Sequence, residues 1–359
     1  MSLKKYSFLS IFCYGLIFIS PLILASIGLV KSTSELITAT AVMYILGAVV
    51  LAIFYFKQRE PLAIESAVKK ASVPKIVIYG LVGLKTHCKI ALVVRKEADG
   101  IRRYVHLGTG NYNDSTAKLY TDTGMFTCRD VVGEDATAVF NMLSGYSEPA
   151  NWNRLIVAPI WMKKRFLEMI HRETKNAKEG KPAKIIAKCN SLCDRKIILA
   201  LYEASCAGVQ VDLIVRGICC LVAGKPGVSE NIRVRSIVGT FLEHARIFYF
   251  YNDGHEEIYM GSADWMPRNL DRRVEIVFPV EEEELKEKAK HILDVQLSDT
   301  LKAHRLLEDG TYQKVDRRGK EAIEAQKTFC EEAIAAANES KKKVPKKRTF
   351  DPRFSPQEE

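Results

Sequence analysis

His87 and Lys89 stand two residues apart at the start of an apolar run, Cys88-Lys89-Ile90-Ala91-Leu92-Val93-Val94. That run reads as a buried strand. Residues at i and i+2 of a strand share a face, which would place the imidazole and the ammonium side by side. A histidine beside a fixed cation, with no carboxylate next to it in the chain, suits attack on an anion. The same spacing also describes a surface His and Lys on an ordinary edge strand, and alone it does not decide.

A second copy does. Val238-Gly239-Thr240-Phe241-Leu242-Glu243-His244-Ala245-Arg246-Ile247-Phe248-Tyr249 repeats the stretch Gly83 to Val94: Val-Gly, a short spacer, His-x-base, then an apolar strand. A small-residue turn follows each copy, Gly108-Thr109-Gly110-Asn111 and Gly261-Ser262-Ala263-Asp264. The glycines of the first turn let backbone N–H groups approach an oxyanion closely. Two units spaced alike predict two halves of a pseudo-symmetric α/β protein, each giving one histidine to a shared cleft.

The elements that would position these residues follow from periodicity and turn signals. Strands are expected over 76–79, 89–95 and 102–107, and helices over 134–143 and 160–177. The second half alternates: strand 183–189, helix 194–207, then strands 211–216, 232–237, 245–251, 256–261 and 273–278. A helix from Glu281 to about His304 closes the fold, and another covers roughly 320–337.

Residues 6–30 and 36–56 are almost wholly apolar, with Lys4 and Lys5 before the first run and Lys57, Arg59, Lys69 and Lys70 after the second. Each run can cross roughly 30 Å of hydrocarbon as a helix. The basic flanks place both ends in the cytoplasm. The expectation is a transmembrane hairpin over 1–60, a linker over 61–75, and a multi-pass inner-membrane protein whose catalytic part faces the cytoplasm.

The formal charge of +10 over 359 residues favours anionic partners; composition alone leaves phosphates, nucleic acid and anionic lipid open. Part of the excess lies in a Lys- and Arg-rich tail over 339–359 that reads as disordered. Nine scattered cysteines argue against a closed disulfide set. Cys189 and Cys193 have a loose metal-like spacing, but no second pair completes a site, and no metal ligands are identified.

From about Val77 to Tyr312 the chain resembles the C-terminal catalytic portion of the bacterial polyphosphate kinases of the histidine-phosphorylating type. The strings that carry the resemblance are Tyr79 to Lys89, His106 to Asn113, Leu119 to Asp122, Asp212 to Leu221, Val228 to Ser236, and Gly261 to Arg273. The resemblance implies two phospholipase D-like α/β halves, a first over 76–154 that is truncated and a second over 155–315, with a helix over 316–338. It implies reversible transfer of the ATP γ-phosphate to inorganic polyphosphate through a phosphohistidine at His87. It puts Tyr120, Arg216 and His244 at the nucleotide and implies Mg2+. ATP or ADP and polyphosphate are then the partners, with no nucleic acid and room for a homo-oligomer.

Phosphoryl transfer needs positioning and charge neutralisation, which Lys89, Arg216, Arg246, Arg268, Arg272 and Arg273 could supply. His244 would act as general acid or hydrogen-bond donor to a leaving oxygen. Arg272 and Arg273 could instead form ion pairs with Asp271 and Glu275, and Tyr120 taken alone reads as a half-buried strand or turn residue. Family members are about twice as long, and the hairpin stands where their opening portion would be. Two rival functions remain: a non-catalytic membrane protein that binds polyphosphate or nucleotide, and a cardiolipin synthase-like phosphatidyltransferase. The latter needs an aspartate five residues after each motif base, where this chain has Val94 and Tyr251.

Overall fold

The structure is a computed structural model that describes residues 77–145 and 147–342. The expected hairpin and linker lie outside the described residues, as does the tail beyond 342. Among the described residues no helix is long and apolar enough to cross a membrane.

In the first half the order is β1 (Lys85–Thr86), β2 (Lys89–Glu97), β3 (Gly100–Gly108), the one-turn α1 (Asp114–Ala117), β4 (Tyr120–Thr121), β5 (Gly124–Thr127) and α2 (Asp130–Leu143). In the second it is β6 (Ile156–Val157), α3 (Met162–Lys178), β7 (Lys184–Cys189), α4 (Arg195–Cys206), β8 (Gln210–Val215), β9 (Ile232–Ile237), β10 (Leu242–Glu243), β11 (Arg246–Phe250) and β12 (Glu257–Gly261). It continues through α5 (Pro267–Arg272), β13 (Arg273–Val274), β14 (Ile276–Val280), α6 (Glu283–Leu297), β15 (Ala303–Leu306), β16 (Tyr312–Lys314) and α7 (Ala325–Lys342).

The second half is a nine-stranded sheet in the order β16-β15-β9-β8-β7-β11-β12-β14-β6. Its β7·β8 and β8·β9 pairs are parallel; the pairs on either side are antiparallel. Central strands such as Ile185 to Cys189 and Arg246 to Phe250 are buried on both faces, which explains their unbroken apolar character. On one face α3 buries Met162, Phe166, Met169 and Ile170, a helical spacing. Phe166 meets Phe248 and Trp265 edge-on, and Phe248 stacks on Trp265 at 5.1 Å. The other face shares its core with the first half: Val105, Leu107 and Val132 pack in one cluster with Ile247, Met260 and Ile276.

The first half is smaller, an antiparallel sheet in the order β2-β3-β5 with α2 against it. Here the expected strand over 76–79 does not form: residues 77–79 carry no ladder and Tyr79 is fully exposed, so no neighbour satisfies an extended backbone. The helix expected over 281–304 stops at Leu297. Asp299 Oδ1 then accepts from the N–H groups of Lys302 and Ala303, and the chain turns into β15, where Ala303 and Leu306 are buried. The last helix starts at Ala325 rather than 320 and runs through 342, into the stretch read as tail.

Candidate active site

Two short parallel bridges tie the halves together where the histidines lie. β1 pairs with β13, so that Val274 O accepts from the N–H groups of His87 (2.9 Å) and Cys88 (3.0 Å). β4 pairs with β10, so that Thr121 O accepts from His244 (3.2 Å) and Ala245 (3.0 Å). The two bridges are copies of each other, and each brings a carboxylate from the opposite half. Arg273-Val274-Glu275 delivers Glu275 to His87, with Nδ1 to Oε2 at 2.9 Å. Tyr120-Thr121-Asp122 delivers Asp122 to His244, with Nδ1 to Oδ1 at 2.8 Å.

The small-residue turns hold those carboxylates. Thr109 Oγ1 donates to Asp122 Oδ1 (2.8 Å) and accepts from Thr123 N–H (3.0 Å). Ser262 Oγ donates to Glu275 Oε2 and accepts from Ile276 N–H (3.2 Å). Asn269 Nδ2 donates to the other oxygen of Glu275 at 2.6 Å. A Cβ at Gly110 would overlap the Asp122 carboxyl, so glycine is there for close approach rather than for an oxyanion.

The motif bases meet the other ring nitrogen. Lys89 Nζ lies 3.0 Å from His87 Nε2 and donates to His87 O at 2.5 Å. Arg246 Nη1 lies 3.1 Å from His244 Nε2 and donates to His244 O at 2.7 Å. With Nδ1 against a carboxylate and Nε2 facing a donor, both rings are assigned the Nδ1–H tautomer, with the Nε2 lone pair turned to the cation. Burial lowers the His244 pKa, Asp122 opposes that, and Arg246 and Lys89 add to it. Burial also lowers Lys89 to about 8, with Glu275 opposing and Arg246 reinforcing. Lys89 thus lies within electrostatic range of Arg246, Asp122 and His244.

The pseudo-symmetry breaks at one place. Arg246 is clamped to Asp264 by two bonds, Nε to Oδ1 at 3.1 Å and Nη2 to Oδ2 at 3.0 Å. Burial pushes the Asp264 carboxyl up, but the Arg246 charge outweighs it and holds the group below its usual range. The matching turn position in the first half is Asn111, and among the described residues Lys89 has no carboxylate partner.

The three nucleotide candidates are connected. The Tyr120 ring lies 4.9 Å from the His244 ring. Arg216 Nε donates to Asn190 Oδ1 (2.9 Å), and Asn190 Nδ2 donates to His244 O (3.2 Å). Arg268 and Arg272 sit on α5 and Arg273 opens β13. Among the described residues none of these three is in an ion pair: Asp271 takes Lys163 and Glu275 takes His87. The ion-pair reading of Arg272 and Arg273 is therefore corrected. Sequence reasoning passed over Asp122, Glu275, Thr109, Ser262, Asn269 and Asn190, although aligning Tyr120-Thr121-Asp122 with Arg273-Val274-Glu275 would have found the carboxylates.

The described residues hold no group of three or more His, Cys, Asp or Glu able to bind a metal ion. Asp122, Glu275 and Asp264 are each already committed to a base, so these residues do not fit a protein-held magnesium. A separate cleft of about 1040 Å³ opens at the far end of the same strands. Its lining of Arg154, Lys164, Glu256, Glu281 and Lys286 is of mixed charge and includes neither His87 nor His244.

Sequence models of polyphosphate kinase C-terminal domain 1 and C-terminal domain 2 match residues 33–149 and 155–326. The first match begins well before Val77 and takes in the second expected span and the linker. The polyphosphate kinase of Synechocystis is 56% identical over 264 residues, 73% of this chain and 36% of that protein. That of Lactiplantibacillus plantarum is 50% identical over 286 residues, 79% of this chain and 40% of that one. The crystal structure of the Porphyromonas gingivalis polyphosphate kinase superposes with a TM-score of 0.66 at 39% identity, covering 74% of this chain and 40% of that chain. The chain thus spans well under half the length of these relatives. By both matched domains, which cover most of the chain, it belongs to the polyphosphate kinase family.

Proposed function

We propose that the chain carries the phosphoryl-transfer site of a polyphosphate kinase, moving the ATP γ-phosphate to inorganic polyphosphate and back through a phosphohistidine at His87. One observation supports this above others: Lys89, unlike Arg246, is held by no carboxylate, so it can leave His87 Nε2 and follow the incoming phosphate. His87 Nε2 attacks the γ-phosphorus, the N–P bond forms, and the bond to the β–γ bridging oxygen breaks to release ADP. The Nδ1 proton stays between His87 and Glu275, whose charge offsets that developing on the ring. A terminal polyphosphate oxygen then displaces the histidine, regenerating the neutral ring.

His244, its Nε2 turned to a fixed guanidinium, has no proton to give there, which disfavours the general-acid role. It is better suited to orienting the nucleotide with Tyr120 and Arg216. Arg268, Arg272 and Arg273 are the remaining phosphate contacts. The matching bridges, turns and His-x-base strands support the two-half, phospholipase D-like reading. No step runs through magnesium. Membrane attachment through residues 6–30 and 36–56 rests on hydropathy, and carbonate extraction of membranes tests it.

The function is tested by incubating the purified chain with γ-labelled ATP and magnesium. The expected result is acid-labile, base-stable label on the protein, lost in His87→Ala and kept in His171→Ala, together with long-chain polyphosphate. Nucleotide binding without label would leave a binding protein, and product from phosphatidylglycerol a lipid enzyme.

A further inference from the structure

The loops that follow β7 and β8 carry a cysteine pair that the phosphoryl chemistry does not use. Leu192 pairs with Cys219 in a parallel bridge, with Leu192 N–H to Ile218 O at 2.9 Å and Cys220 N–H to Leu192 O at 2.8 Å. One step along both segments stand Cys193 and Cys220. In a regular parallel pair, positions level with each other face the same way about 4.7–4.9 Å apart; here the bridge is a single pair, and Cys193 and Cys220 directly follow it. A disulfide requires roughly 4.4–6.8 Å between Cα atoms, a range that residues adjoining a bridged pair can meet. Cys220 is exposed and Cys193 half-buried. Burial, then the neighbouring Cys220 thiol, raises the Cys193 thiol to about 11, while Arg268 opposes the shift.

Nearby cysteines are worse placed to pair. Cys189 is buried, with its thiol donating to Ser191 O at 3.5 Å. Cys219 donates to Leu221 O at 3.8 Å and faces away along its own strand. The pair also sits beside the candidate site. Gly217 N–H donates to Asn190 O at 2.8 Å, and Arg216 Nε to Asn190 Oδ1 at 2.9 Å. The segment that holds Arg216 in place is therefore the one that leads directly into Cys219 and Cys220.

We propose that Cys193 and Cys220 form a reversible disulfide at the expense of a hydroperoxide, and that this bridge loosens the nucleotide grip of Arg216. Cys220 thiolate attacks the terminal oxygen of the hydroperoxide, the O–O bond breaks, and Cys220 becomes a sulfenic acid with release of hydroxide (from hydrogen peroxide) or the corresponding alkoxide. The Cys193 sulfur then attacks the sulfenic sulfur: the S–S bond forms, the S–O bond breaks, and water leaves with the Cys193 proton. Two thiols lose two electrons and the peroxide gains them. Bringing the sulfurs to covalent distance pulls the Ile218–Cys220 turn toward Cys193 and displaces Arg216 from Asn190. The nucleotide part of this inference rests on the function proposed above; the cysteine pairing does not.

The test treats the full chain with hydrogen peroxide, blocks remaining thiols, digests with trypsin and sequences the cross-linked peptides. Residues 189–195 should appear joined to residues 217–233 (Lys225 precedes proline and is not cut), with fragment ions placing the bond at Cys193 and Cys220. Dithiothreitol should remove the link, and Cys193→Ala and Cys220→Ala should each abolish it. A fluorescent ATP analogue should bind the oxidised protein about five-fold more weakly, the loss of roughly one hydrogen bond, and recover on reduction. Absence of the link, a bond between Cys219 and Cys220, or unchanged nucleotide affinity in the linked protein would each overturn the proposal. If reduced protein binds no nucleotide at all, the kinase reading fails while the peptide map still decides the pair.

Discussion

Lys89 and Arg246 occupy matching positions, two residues after matching histidines, yet their charges behave differently. Arg246 is fixed by Asp264 through two bonds. Lys89, buried and without a carboxylate of its own, titrates near 8, below the 10.5 of a free lysine. Its cation is therefore lost as pH rises through about 8. If that cation meets the transferred phosphate, the rate of His87 labelling falls above pH 8, whereas Lys89→Arg keeps its charge and flattens that limb. A single-turnover pH profile of both proteins checks this; an alkaline fall that persists in Lys89→Arg would remove Lys89 as its origin. Glu275 makes a second residue-scale case. Glu275→Gln removes the charge opposite His87 Nδ1 and frees the ring to take the wrong tautomer, so labelling should slow by about 10²-fold or more with little change in nucleotide affinity. His87, Lys89, His244 and Arg246 were legible in the chain because i, i+2 spacing and repetition are local signals. Glu275 lies 188 residues from His87, and no local spacing carries such a contact.

At the scale of elements, the two-residue bridges between β1 and β13 and between β4 and β10 decide the site, and neither is long enough to show a period. They hold because other elements brace them. Gln326 on α7 exchanges bonds with Phe241, accepting from its N–H at 2.9 Å and donating to its carbonyl at 2.8 Å, and also donates to Glu243 Oε1 at 2.8 Å. Glu243 is further held by Gln296 (2.7 Å), by Thr121 Oγ1 (3.1 Å) and by the buried Lys188 (3.1 Å). The C-terminal helix therefore anchors the strand that carries Tyr120 to His244. Gln326→Leu leaves buried polar groups on Phe241 and Glu243 unpaired, at a cost of roughly 2 kcal/mol. A lower urea midpoint with an unchanged slope, together with weaker ATP binding, is expected; undiminished stability would show that α7 does not brace the site. Long periodic elements such as α3 and the central strands were readable to within a few residues. β15 was not, because its alternation spans only Ala303 to Leu306 and follows a helix whose polar pattern runs on past Leu297.

For the molecule as a whole, the repeat announced two halves but not that each completes the other. The carboxylate on His87 comes from the second half and that on His244 from the first, and the apolar cluster beneath them draws on both. Neither half alone then holds a finished histidine. A chain ending at residue 154 keeps His87, Lys89 and the turn at Thr109, yet lacks Glu275 and the sheet face that covers Val105 and Leu107. It should take no label from γ-labelled ATP. The complementary chain from 155 retains the nine-stranded sheet and His244 but loses Asp122 and Tyr120, and should neither take label nor bind nucleotide tightly. Mixing the two should restore label on His87 if they reassociate through the shared core, and size-exclusion chromatography reports whether they do. Label on the isolated first piece would mean that His87 needs no partner from across the interface, and the crossed arrangement of carboxylates would lose its claim to the chemistry. Reassembly without label, beside a labelled intact chain, would instead place the fault in the geometry of the short bridges, which among the described residues are the main-chain ties between each histidine and the half that supplies its carboxylate.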